Sequence, residues 1–191
     1  MAGLGNPGRQ YAQTRHNVGF RVVELLRDRW SAGEGRFGFG GWLCQARPTG
    51  PQQAERTVVL FEPHTYMNCS GRAVRQLVDF HKADCRDVLA VLDDMALPLG
   101  RLRMREQGSA GGHKGLGDIL AALGTDEVPR LRVGIGAPPP RIDATDFVLQ
   151  RFRDDEAEPI DCAIQVAADA AEDWLFHGAG YVMDKYNRKD E

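Results

Sequence analysis

No stretch of the 191-residue chain stays apolar for the roughly 20 residues that a helix needs to cross a bilayer. No basic segment followed by an apolar core reads as a secretory leader. The expected location is therefore the cytoplasm. The four cysteines, Cys44, Cys69, Cys85 and Cys162, are scattered without a C-x-x-C pair. They read as reduced, mostly buried thiols rather than a disulfide frame. The five histidines, at 16, 64, 81, 113 and 177, show no metal-ligand spacing. Neither a metal nor an organic cofactor is expected. A G-x-S-x-G elbow and a cysteine-nucleophile signature are both missing, so a covalent acyl intermediate is not suggested. Excess positive charge is missing too. The net charge is −3, and any contact with nucleic acid must come from a local patch. There is no internal repeat, low-complexity tract or linker. With 42% hydrophobic residues, the chain suits one domain over residues 1–191.

What is abundant is glycine in bursts. Gly3, Gly5 and Gly8, with Pro7 among them, cannot lie inside a helix or a long strand, and they form a tight loop. They satisfy G-x-G-x-x-G, but a dinucleotide site needs a preceding strand and an acidic residue at the next strand end. Only Met1 and Ala2 precede Gly3, and Glu24 falls inside a helical pattern. The loop should still follow a buried strand. That strand is expected to be truncated, with translation starting upstream, or to be reduced to a stub.

Further along, Val18, Val22, Leu25 and Leu26 share one face of a helix over 17–30, with Asn17 as N-cap. Residues 37–47 and 57–62 read as strands of a hairpin that turns at 49–53. A helix capped by Asn68 or Ser70 runs to about residue 82 and turns Val74, Leu77, Val78 and Phe80 inward. A buried strand over 87–93 ends in Asp93-Asp94, the end at which α/β sheets carry their sites. Arg101, Arg103 and Arg105 alternate with Leu102 and Met104, as in a strand with one positive face. A second glycine-rich loop, 108–116, opens a short helix near 115–123. Another strand covers 130–136 before Pro138-Pro139-Pro140. A helix over 154–177 buries Ile160, Ile164, Ala168, Ala171 and Leu175 and stops at Gly178. The tail 181–191 is expected to fray. The pattern predicts an α/β fold: one mixed, twisted sheet flanked by helices on both faces.

Residues 3–20, GLGNPGRQYAQTRHNVGF, resemble the N-terminal signature of the bacterial peptidyl-tRNA hydrolase family. Three later stretches follow in the same order. Residues 62–71, EPHTYMNCSG, are similar to the family's K-P-x-T-[FY]-M-N-x-S-G, with Glu62 in place of Lys. Residues 92–100, LDDMALPLG, are similar to H-D-E-x-D-L-P-x-G; Asp94 replaces Glu, and Leu92 and Ala96 stand where the family has His and Asp. Residues 111–116, GGHKGL, are similar to G-G-H-N-G-L, with Lys114 for Asn. RLRVGIG at 130–136 also matches the family's pattern.

The resemblance implies hydrolysis of the ester joining a peptide to a tRNA's terminal ribose. It implies His16 as general base on water and Asp93 as its partner. Asn6 and Asn68 would offer amides to the ester carbonyl or oxyanion, and Asn68 would face the substrate. Tyr11 would meet the terminal adenosine, and Tyr66 would contribute to substrate binding. Arg105 and Arg132 would grip the tRNA's 5′-phosphate, with Arg101 and Lys114 nearby. Lys114 replaces the Asn that helps hold the peptide end and the attacking water. His113, in a helix-opening loop, is read as structural. No membrane or metal partner is implied, and a monomer is expected. The alternative is a non-catalytic RNA-binding relative with the same basic face.

Overall fold

In the computed structural model, residues 1–51 and 54–187 are described. They form a seven-stranded sheet in the order β2-β3-β4-β1-β5-β7-β6. The strands are β1 (Ala2–Gly3), β2 (Arg36–Gly38), β3 (Gly41–Ala46), β4 (Val58–Pro63), β5 (Ala90–Asp94), β6 (Leu102–Arg105) and β7 (Arg130–Gly134). The central pairs β4–β1, β1–β5 and β5–β7 are parallel, and the pairs nearer the edges are antiparallel. The helices are α1 (Val18–Arg29), α2 (Ser70–His81), α3 (Lys114–Leu123), α4 (Ala144–Val148) and α5 (Asp154–Tyr186). Val22 and Leu26 of α1 and Ile164 and Ala168 of α5 share a core with Leu60 and Val91 on one face. Val74 of α2 and Ile119 of α3 share the core on the other face with Phe61 and Leu92. The expected mixed sheet with helices on both faces is what the chain forms.

Local chemistry explains the differences from the expected elements. The strand expected over 37–47 is two strands, because Phe39 and Gly40 both take positive φ (56° and 75°) and turn the chain back on itself. Gln52 and Gln53 of the expected 49–53 turn lie outside the described residues; Thr49 bridges Glu55 across it. Asn17 holds the N-cap position of α1, as expected, but makes no capping hydrogen bond with its side chain, and Asn68 lies in the turn before α2, whose N-cap is Cys69. Asn17 spends its amide on the loop at Asn6. At the start of α2, Gly71 N–H donates instead to Asp118 of α3 at 2.6 Å. Phe80 points outward, 63% exposed, against Phe39 and His81. Only Cys44 of the four cysteines is buried; Cys69 and Cys162 are exposed.

The 181–187 stretch is not frayed. Gly178 (φ 81°, ψ 174°) breaks the helix, as expected, and helix then resumes to Tyr186. Tyr186 donates to Asp173. Asn187 pairs with both backbone groups of Met104 on the outer edge of β6, at 2.7 and 3.0 Å. Residues 188–191 lie outside the described residues.

One close crossing sets up the functional end of the sheet. A side chain on Gly19 would strike the carbonyl of Val91 at 2.3 Å and the backbone of Leu4 at 2.5 Å. The start of α1 can therefore lie directly on β1 and β5, and the turn before it reaches the C-terminal end of β5.

Candidate active site

Three connections and the end of β5 converge at the C-terminal ends of the parallel strands. Asn6 leaves β1 in the glycine loop. His16 sits in a short helical turn, Arg15–Asn17, before α1. Asn68 occupies another such turn, Met67–Cys69, after β4. Asp93 is on β5, and His113 is the N-cap of α3. Together with Tyr11, Tyr66, Lys114 and Arg132, these residues line one cavity of about 550 Å³. Arg105 stands outside it.

Two imidazoles meet on one carboxylate oxygen. His16 Nδ1 lies 2.7 Å from Asp93 Oδ1, and His113 Nε2 lies 3.0 Å from the same atom. The tautomers follow from the partners. His113 Nδ1 accepts the backbone N–H of Leu116 at 3.1 Å, so the ring proton is on Nε2 and is donated to Asp93. An ionised carboxylate can only accept, so His16 donates through Nδ1 and keeps a lone pair on Nε2. Burial of Asp93 would raise its pKa. The two imidazoles, His113 first and then His16, overcome this and hold the carboxyl well below the usual carboxylate range.

The same three residues could in principle converge on a cation. A metal on His113 Nε2 would leave Nδ1 either protonated against the Leu116 N–H or bare as an imidazolate. The donor pattern thus suits hydrogen bonding better than ligation.

Asn6 is oriented by its neighbours. Its backbone N–H and C=O are taken by the Asn17 amide, each at 2.9 Å. Its side-chain Oδ1 accepts the Met67 N–H at 2.9 Å, which turns Nδ2 into the remaining donor. Asn68 is exposed at the cavity wall.

The basic side is built on β6 and β7. Arg103 pairs across the strands with Arg132, and Arg105 with Arg130, so four arginines share one face opposite the buried Leu102, Met104, Leu131 and Val133. They are not equivalent. Arg130 is buried and bonds the carbonyls of Val128, Gly108, Ser109 and Asp126, bracing the second glycine loop. Arg132 forms an ion pair with Asp94 at 2.9 Å. Arg105 is exposed.

One residue and one helix of the site were not foreseen in these positions. His113 caps α3 through one nitrogen, as a structural histidine would, and reaches Asp93 with the other. The helix α4, which supplies a wall through Thr145, Val148 and Leu149, carries too short a pattern to be read from periodicity. Glu62, which stands in the signature beside Asn68, alternates with Val58 and Leu60 toward the α1 face instead. Burial there, aided by Glu24 and opposed by Arg27, pushes its carboxyl up to about 8.

A family model described as "Peptidyl-tRNA hydrolase" matches residues 1–191. A peptidyl-tRNA hydrolase of Chloroflexus aurantiacus is 45% identical over 193 aligned positions, covering 98% of this chain and 97% of its own. One from Bacillus cytotoxicus is 41% identical, covering 98% of each. The crystal structure of peptidyl-tRNA hydrolase from Acinetobacter baumannii superposes with a TM-score of 0.89 at 32% identity, covering 99% of this chain and 94% of the other.

Proposed function

The chain belongs to the peptidyl-tRNA hydrolase family, and we propose that it hydrolyses the peptidyl-tRNA ester with His16 as general base on water. Peptide and reusable tRNA are the products. The observation that carries this reading is the 2.7 Å contact from His16 Nδ1 to a buried carboxylate, which leaves Nε2 as an acceptor in a residue lining the cavity. Imidazole titrates near neutral pH, which suits a base that must take and return a proton.

Water loses a proton to His16 Nε2 as its oxygen bonds the ester carbon. The carbonyl oxygen gains the negative charge and meets Asn6 Nδ2, whose orientation Met67 fixes. A donor of this kind contributes about 3 kcal/mol to lowering the barrier. When the bond to the ribose oxygen breaks, His16 hands its proton to that oxygen. Asp93 stays ionised throughout and fixes the ring of His16. His113 donates to the same oxygen and steadies the carboxylate. Asn68 and Tyr66 bind the acyl end, and Tyr11 meets the terminal adenosine.

Arg105 and Arg132 hold the 5′-phosphate, with Lys114 at the cavity rim on the same side. The exposure of Arg105 and the shared face of the arginines support this, while the Asp94 contact means that a phosphate must share the Arg132 guanidinium. The protein works as a cytoplasmic monomer without a metal. The non-catalytic alternative has no need for an oriented amide beside an imidazole–carboxylate pair.

Single-turnover hydrolysis of N-acetyl-aminoacyl-tRNA tests the assignment. His16→Ala is expected to lose nearly all turnover and to keep tRNA affinity. Near-normal turnover in that variant would remove His16 from the role.

A further inference from the structure

The cavity lining is of two kinds. Lys114 and Arg132 are cationic, and Met95, Val148 and Leu149 present apolar surface. Val148 and Leu149 are the last residue and the C-cap of α4, a helix of five residues. Such a helix has no stability of its own. The approach to it contains Pro138-Pro139-Pro140 and two residues at positive φ, Gly136 and Arg141 (both 77°). Something outside α4 must hold it over the site.

That something is Arg15, the neighbour of His16. Its side chain is buried, 3% exposed. The guanidinium lies between two rings, 4.4 Å from the centroid of Phe147 and 4.7 Å from that of Phe152. Nη2 meets Glu156 Oε2 at 2.6 Å. The backbone N–H of Arg15 donates to Gln150 O at 3.0 Å, and Thr14 bridges Arg151. Phe147 and Val148 belong to a small core of their own with Ile135. The cation therefore fills the centre of the packing behind the wall, while the next residue faces the cavity as His16. A flat guanidinium can stack on two rings and still reach a carboxylate edgewise; an ammonium cannot do both.

We propose that Arg15 is a positioning residue that fastens the α4 wall to the His16 turn, making the wall the subsite for apolar peptide next to the scissile ester. The inference rests on the reading of this cavity as the hydrolytic site. Arg15 itself touches neither water nor ester. Its loss loosens the surface against which the peptide packs and leaves the His16–Asp93 contact in place.

The test compares two substrates on one tRNA, N-acetyl-trileucyl-tRNA and N-acetylglycyl-tRNA, with the full chain and its Arg15→Gln and Arg15→Lys variants. In Arg15→Gln, KM for the trileucyl substrate is expected to rise about tenfold, KM for the glycyl substrate less than twofold, and kcat for either less than threefold. The pH–rate profile keeps its shape. Arg15→Lys recovers little, because stacking is lost. Equal losses on both substrates, a loss confined to kcat, or an unchanged trileucyl KM would each overturn the proposal. If Arg15→Gln does not fold, Glu156→Gln removes the ion pair while its amide oxygen can still cap Arg153; it should show the same selective rise in KM, and its absence overturns the proposal. His16→Ala decides the hydrolytic reading separately, since it reports turnover rather than discrimination between peptides.

Discussion

Asp93 carries two donors on a single oxygen, so its replacement separates charge from shape. Asp93→Asn keeps the volume but can no longer accept from both rings as a carboxylate. By analogy with His–Asp pairs in which the wrong tautomer results, turnover should fall by a factor on the order of 10⁴ while tRNA binding persists. Stopped-flow single-turnover kinetics beside a thermal melt would check this. Glu62 makes the opposite kind of statement. Its folded pKa of about 8 lies above the ordinary carboxylate value of about 4.3. The folded state thus holds a proton that the unfolded state gives up. Between about pH 4.5 and 8 the wild-type protein should lose stability as pH rises, by on the order of a few kcal/mol, with no further loss from this group above that range. Glu62→Gln should flatten that slope and be the more stable protein at pH 8. Urea unfolding at pH 5 and pH 8 would show it; equal slopes would contradict the buried placement.

Arg130 ties two carbonyls of the β6–α3 loop to two of the α3–β7 connection, and the first of these loops ends in His113. Arg130→Lys cannot reproduce that fan. Amide exchange should speed up over residues 108–112, and turnover should drop severalfold, whereas Arg103→Lys should leave both near their original values. Hydrogen exchange read by mass spectrometry distinguishes the two. Elements of this kind were unevenly legible in the sequence. The 3.6-residue pattern of Val18, Val22 and Leu26 gave α1, and the apolar run before Asp93 gave β5, because burial imposes a period on the residues that make it. The split at Phe39 was hidden, since a phenylalanine at positive φ carries no sequence signal. So was α4, which is held by Arg15 and Phe152, both outside it. His16, Asp93 and Asn6 could be singled out as a set by the resemblance. That His113 meets Asp93 could not, because the contact is made only when β5 and the α3 loop are brought together.

The whole molecule has a net charge of −3 while one face of its sheet edge holds four arginines. Binding to tRNA should therefore weaken steeply with salt, and Arg105→Ala should reduce the slope of log affinity against log salt by about 1. Filter binding across a salt series measures this, and an unchanged slope would take Arg105 out of the phosphate contact. The global order of strands was beyond sequence reasoning: periodicity reveals strands but not their neighbours. That order has one more consequence. β1 lies between β4 and β5, so the first strand to be synthesised is completed only by residues 58–63 and 90–94. Pairings so distant along the chain form late. Asn6 and His16 emerge from the ribosome long before the carboxylate and second imidazole that complete their set. Until then the growing chain is itself a peptide esterified to tRNA, and its topology postpones the means of cutting such a bond until more than half of it has been made.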